Sequence, residues 1–165
     1  MDVRSAHVNP VARRMFSKKQ TDTDRRIRVG VGVFVLDDHG RLLLEKRRDC
    51  GLWGLAGGRI EPGESVAEAA VREVKEETGF LVQITRFIGV YSEPSERIVT
   101  YLDNGDVVQL VDIILEGRIV GGHMACSSES EEIRFFEPEA LPAEVVPPAI
   151  SPIRDYLQGI TGVLR

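Results

Sequence analysis

Apolar and polar positions alternate at the start of the body of the chain. Ile27, Val29, Val31, Val33 and Val35 recur every second residue, the period of a β-strand. Asp37-Asp38-His39-Gly40 interrupts the run as a turn and Leu42-Leu43-Leu44 resumes it, so a hairpin is expected. Residues 50–63 carry five glycines and a proline and read as a loop with special backbone requirements. The period then changes. Ser65-Val66-Ala67-Glu68 is a capping box, and Val66, Ala70 and Val74 follow at helical spacing on one face until Gly79 stops the helix. Strands are expected over residues 81–91, 97–102 and 107–116, with Asn104-Gly105 turning between the last two. Residues 117–130 read as a polar, glycine-rich loop, 133–136 as a short strand, and 150–157 as a last helix after Pro147-Pro148. Strands around one strong helix, without repeats, describe a single α/β domain with a mixed sheet over residues 27–165.

Composition narrows the class. Of the 165 residues 42% are apolar and 28% charged, as expected for a globular chain. The longest apolar run, residues 29–36, is far too short to span a membrane. Cys50 and Cys126 show neither zinc-ligand nor disulfide-framework spacing, and they fit a reducing cytoplasm. The net charge of −5 makes nucleic acid or a membrane surface a poor partner. That charge is uneven: residues 1–26 carry a net +4, leaving −9 on the rest. Residues 1–26 have no clear periodicity and no signal-peptide core, and they read as a basic, loosely ordered arm.

Charge also locates the chemistry. Glu73, Glu76 and Glu77 crowd the last turn and a half of the predicted helix at spacings of three and four. Like charges repel there, and the negative end of the helix dipole adds about 0.3–1 kcal/mol against each carboxylate. Such a cluster is either a solvated acidic face or a site for a cation. An all-oxygen donor set suits Mg²⁺ or Mn²⁺ rather than zinc. Gly57-Gly58 and Gly63 before the helix let backbone approach a ligand closely. Arg72 can brace the carboxylates through charge-assisted hydrogen bonds, or simply pair with Glu68 or Glu76. Gly30-Val31-Gly32 is a poor dinucleotide-binding signal, because it lacks the third glycine and lies inside a strand.

Gly58, Glu64 and Arg72-Glu73-Val74-Lys75-Glu76-Glu77-Thr78-Gly79-Phe80 stand in the register of the Nudix box, and the chain resembles the Nudix hydrolases over roughly residues 28–157. Phe80 fills a slot that usually holds an aliphatic residue, and Ala56 stands where many members have proline. Leu52-Trp53-Gly54-Leu55 before the box, and Phe135-Phe136-Glu137-Pro138 with Leu141-Pro142 after it, extend the likeness.

The resemblance implies an α/β/α sandwich with a mixed sheet. It also implies Mg²⁺- or Mn²⁺-dependent hydrolysis of a nucleoside diphosphate linked to another moiety. On that pattern Glu73, Glu76 and Glu77 are metal ligands with the Gly57 carbonyl, Glu64 contributes secondarily, and Arg72 orients the glutamates. A further acid, metal ligand or general base, is expected from Glu129, Glu131 or Glu132, with Glu129 favoured.

Pro94, fifteen residues beyond Gly79, resembles a mark of the ADP-ribose subgroup, so ADP-ribose or a similar nucleotide is the favoured substrate. That subgroup also implies a homodimer. Hydrolysis of oxidised or non-standard nucleoside triphosphates is the alternative, and a non-catalytic nucleotide sensor is the alternative of another class. Pro94 and Tyr91 are the candidate substrate contacts. Trp53, Phe87 and Tyr101 could stack on a base or simply pack.

Overall fold

The computed structural model describes residues 26–101 and 105–165. The predicted arm therefore lies outside the described residues, except for Arg26, and so does Asn104 of the predicted turn. The period-two run forms β1 (Arg26–Leu36) and continues through the turn into β2 (Leu42–Arg47). Only Val35 and Leu36 of β1 pair with β2; the middle of the same edge, Gly30–Val33, is taken by β4 (Ala56–Arg59). The predicted loop over residues 50–63 thus contains β3 (Trp53–Gly54), paired with β2, and β4, whose glycines allow close pairing against β1.

The capping box opens α1 (Val66–Thr78). Ser65 Oγ accepts from Glu68 N, the Glu68 carboxylate accepts from Ser65 N, and Gly79 closes the helix at φ 77°. β5 (Phe80–Tyr91) follows. The strand expected over 97–102 appears shortened as β6 (Ile98–Thr100), preceded by a short α2 (Pro94–Arg97), and residue 102 lies outside the described residues. Pro94 suits a first helical turn, and the Glu93 side chain accepts from Ser95 N there.

β7 (Val107–Gly122) runs six residues beyond its expected end. The stretch read as loop pairs antiparallel with Phe80–Ile84 of β5, so tertiary pairing overrides a weak local preference. β8 (Ser130–Phe136) precedes a single 3₁₀ turn and then α3 (Pro147–Leu157). That helix starts three residues earlier than expected, because Pro147 and Pro148 occupy its first turn, where no N–H is needed. A short β9 (Val163–Leu164), absent from the sequence reading, adds to β5.

Nine strands form one mixed sheet among the described residues, in the order β3-β2-β1-β7-β5-β9, with β4 on β1, β6 on β7 and β8 on β2. β1 and β7 are parallel from Arg26↔Val108 to Leu36↔Arg118, and this pair is the spine of the sheet. Alternation along β1 sends its side chains to two cores. On one face Val31, Val33 and Val35 pack under Ala69, Ala70 and Val74 of α1. On the other, Phe34, Ile88 and Ile114 pack under Ala149 and Ile153 of α3. The result is the α/β/α sandwich. Among the described residues no helix is long and apolar enough to cross a membrane.

Candidate active site

The C-terminal half of α1 lies against β4, and two adjacent glycines set the approach. Gly57 has φ 150°, and a Cβ there would stand 2.1 Å from the Val31 carbonyl oxygen. A Cβ at Gly58 would stand 2.6 Å from Glu73 Oε1. Only glycine lets the strand backbone and the helix carboxylates share this space.

Glu77 points inward and is buried, and its Oε2 accepts from Gly57 N at 2.7 Å. Burial, with the neighbouring Glu45 and Glu73 charges, pushes its carboxyl up to about 9 against the pull of that hydrogen bond. Glu45 of β2 is buried as well, hydrogen-bonded to Glu77 and accepting from Ser130 Oγ at 3.2 Å. Its carboxyl is also raised, chiefly by burial. Burial raises Glu73 too, while Arg72 pulls it down.

Arg72 gathers the outer acids. Its Nη1 donates to Glu73 Oε1 at 2.8 Å and to Glu76 Oε2 at 3.2 Å. Nε and Nη2 grip both oxygens of Glu64 at 2.5 and 2.9 Å, and Nη2 also donates to the Arg59 carbonyl at 3.1 Å. Hydrogen bonding from Arg72 draws the Glu64 carboxyl down to about 2. Arg72 is thus the brace of the acidic face.

The chemistry of this donor set fits a hard divalent cation. Glu45, Glu73 and Glu77 offer oxygen only. All three carboxyls are raised chiefly by burial, with neighbouring acidic charge adding to the shift. Among the described residues no three acidic, His or Cys side chains are already drawn together as a ligand set. Arg72 engages Oε1 of Glu73, and Gly57 N–H engages Oε2 of Glu77 beside its hydrogen bond with Glu45.

Most of these groups line a cavity of about 480 Å³. Gly57, Gly58, Glu73, Glu76 and Glu77 line it with Arg47 and Glu129, and so do Arg28, Tyr101, Leu110 and Asp112. Gly30 and Gly32 of β1 form part of the wall. A Cβ at Gly32 would meet Ile114 Cδ1 at 2.9 Å, so the pair unsuited to a dinucleotide fingerprint instead keeps the cavity open. Of the three loop acids, Glu129 alone lines the cavity. Glu131 pairs with Lys46 at 3.5 Å, and Glu132 pairs with Arg134.

Neither candidate substrate contact reaches the cavity wall. Pro94 is exposed in the first turn of α2. Tyr91 is buried behind the cavity, its hydroxyl donating to Asp155 Oδ2 at 3.1 Å. Trp53 packs edge-on against Phe136, and Phe87 is exposed on β5. Tyr101 lines the cavity, with the Arg28 guanidinium 4.7 Å from its ring centre. Glu45 and Asp112 escaped the sequence reading, yet each carried a signal: a carboxylate next to a run of aliphatic residues in a strand.

The NUDIX domain family profile matches residues 26–156. A Bacillus subtilis protein provisionally named an 8-oxo-dGTP diphosphatase is 38% identical over 135 residues, which are 81% of this chain and 83% of that protein. A Methanocaldococcus jannaschii ADP-ribose pyrophosphatase is 34% identical over 111 residues, 66% of this chain and 61% of that protein. The crystal structure of a NUDIX hydrolase from Nitrosomonas europaea shares the fold at a TM-score of 0.70 and 23% identity, over 90% of this chain and 82% of that one.

Proposed function

Since the chain belongs to the NUDIX hydrolase family and is a pyrophosphohydrolase, we propose that it cleaves, with Mg²⁺ or Mn²⁺, the pyrophosphate bond of an oxidised or non-standard nucleoside triphosphate. The convergence of Glu73 and Glu77 on Gly57-Gly58, in the wall of a cavity sized for a nucleotide and with Glu45 against Glu77, carries this reading. Glu73, Glu76 and Glu77 would hold the metal, with the Gly57 carbonyl, and Glu45 stands close enough to Glu77 to join them. The cation would screen the diphosphate from the acidic body and stabilise charge on the leaving phosphate. Arg72 holds Glu73 and Glu76 in place, and Gly57 N–H fixes the rotamer of Glu77. Glu129, free of the pairings that occupy Glu131 and Glu132, is the acid placed to accept a proton from attacking water.

ADP-ribose is the second reading. The Methanocaldococcus jannaschii relative, named an ADP-ribose pyrophosphatase, favours it. Pro94, the sequence feature that first suggested it, is exposed and does not line the cavity. A panel of oxidised dNTPs, ADP-ribose, sugar nucleotides and dinucleoside polyphosphates with each metal decides between them. Release of a nucleoside monophosphate from the triphosphates is the expected result. Glu77→Gln should keep the fold and lower kcat by a factor on the order of 1,000. Wild-type turnover in that variant would remove Glu77 from the metal site. Binding without turnover across the whole panel would leave the sensor reading standing instead.

A further inference from the structure

Glu129 reaches the cavity from the stretch of chain just ahead of β8. It is exposed, and no hydrogen bond or ion pair holds its carboxylate among the described residues. Neither packing nor a side-chain partner fixes it, so its place is set by its backbone.

That backbone is held by one residue of the turn between β2 and β3. Arg48 N–H donates to the Glu129 carbonyl at 2.9 Å. Its Nε donates to the Ser128 carbonyl and its Nη2 to the Ser130 carbonyl, each at 2.9 Å. Arg48 thus engages three consecutive carbonyls, and one edge of its planar fork grips the outer two. It stands beside a run of acids, yet its hydrogen bonds among the described residues go to carbonyls and none to a carboxylate. Carbonyls near the surface are readily satisfied by water, and ordering a long side chain costs conformational entropy. A strand end does not need such a clamp for its own sake, whereas a carboxylate held only by its backbone does.

The same stretch is tied to the buried glutamates. Lys46 stands opposite Glu132 but Arg47 opposite Ser130, so Glu131 is an extra residue in a β-bulge. The bulge lets Ser130 and Ile133 both face inward, although strict alternation would send residues three apart to opposite faces. Ser130 Oγ then donates to Glu45 Oε2 at 3.2 Å, and Glu45 is hydrogen-bonded to Glu77. On the other side of Glu129, Ser127 Oγ accepts from Glu129 N at 3.2 Å and lies 3.1 Å from Ser130 Oγ. Glu129 is near enough to Glu45 for its charge to be felt there.

We propose that Arg48 is a positioning residue for the hydrolysis: by clamping the carbonyls of residues 128–130 it holds the Glu129 carboxylate in the cavity wall beside the Glu45–Glu77 pair. Arg48 does not line the cavity and touches neither substrate nor the transferred proton. It acts through Glu129 alone, by keeping the proton acceptor at a fixed distance from the water that the metal site presents. The proposal rests on the reading of Glu129 as the acid that accepts that proton.

A double-mutant cycle with Glu129→Gln tests it, with kcat and KM measured in Mg²⁺ on the fastest-cleaved nucleotide of the panel above. Arg48→Met keeps the apolar stem and removes the fork. It should lower kcat on the order of 10- to 100-fold and leave KM within about threefold. In the Glu129→Gln background the same change should cost less than about twofold, because the carboxylate it positions no longer acts. Arg48→Lys keeps the charge but not the fork, so its kcat should stay within about threefold of that of Arg48→Met. Amide hydrogen exchange of the unliganded proteins reads the clamp without turnover. Arg48→Met should speed exchange at residues 129 and 130 by about tenfold or more and leave α1 unchanged. Equal losses in the two backgrounds overturn the proposal, as do wild-type kcat in Arg48→Met or Arg48→Lys and unchanged exchange. If Arg48→Met fails to fold, Arg48→Lys carries the same cycle. Failure of the underlying reading looks different. Wild-type kcat in Glu129→Gln removes Glu129 from the reaction and this role of Arg48 with it, whereas a slow Glu129→Gln beside a fully active Arg48→Met removes Arg48 alone.

Discussion

Gly58→Ala is the substitution whose consequences the structure specifies most fully. The added methyl would stand 2.6 Å from Glu73 Oε1 and 2.7 Å from both its Cδ and Oε2. Ordinary contact begins near 3.4 Å, so the carboxylate has to retreat by about 0.8 Å. That is enough to break the 2.8 Å bond from Arg72 to Glu73. The fold should absorb the change. Gly58 does not have a positive φ, so alanine fits its backbone. Stiffening of the unfolded chain contributes about 0.5–1 kcal/mol in the opposite direction to the weakened ion pair, itself worth about 1 kcal/mol. The melting temperature should move by no more than about 4 °C. Activity should not survive so well, since misplacing a catalytic group by about 1 Å lowers the rate on the order of 100-fold.

The assay is kcat/KM for nucleotide hydrolysis together with a circular-dichroism melt. A folded Gly58→Ala enzyme within about threefold of wild type would refute the claim that this glycine exists to place Glu73. Gly57→Ala is the contrast. Its methyl meets the Val31 carbonyl at 2.1 Å, which is backbone and cannot retreat, so this variant should lose roughly 3 kcal/mol or more of stability along with activity.

Two further outcomes follow from the same geometry. Glu129→Gln should lower kcat by a factor of about 100 or more, while Glu131→Gln and Glu132→Gln, whose side chains pair with Lys46 and Arg134, stay within about threefold; equal effects in all three would remove Glu129 from the reaction. Glu116, on β7, is raised by burial but more strongly lowered by hydrogen bonds from Tyr156, Arg86 and Thr85. Its folded pKa lies below the unfolded one. Its contribution is therefore complete above the usual glutamate range and disappears as the pH falls through the lowered value. Glu116→Gln should thus cost about 1–2 kcal/mol at neutral pH and nothing at pH low enough to protonate the wild type, so the two denaturation curves converge in acid.

Much of the fold was legible because its signals are local. The capping box and Gly79 bound α1 within a residue, and the period-two run of β1 appears where it was expected. The tail of β7 and the two strands inside residues 50–63 were not legible. Glycine-rich segments carry little strand preference of their own and become strands by pairing with β5, β2 and β1. Pro94 and Tyr91 illustrate the same limit at the site. Their distances along the chain from Gly79 were suggestive, but the short α2 turns Pro94 outward, and the alternation of β5 sends Tyr91 beneath Arg97.

From the sequence alone came the family, the helix that bears Glu73, Glu76 and Glu77, and the expectation of a cation near an acidic body. These depend on residues close together in the chain, where helical spacing and charge suffice. The tertiary structure alone decided which distant residues come together at the candidate site. Glu45 joins Glu77 from a neighbouring strand, and Glu129 is separated from Glu131 and Glu132 by what each side chain meets. Asp112 faces the cavity because parallel pairing of β1 with β7 places it opposite a glycine. Strand register between segments some eighty residues apart is set by the packing of the whole sheet, and no local pattern encodes it.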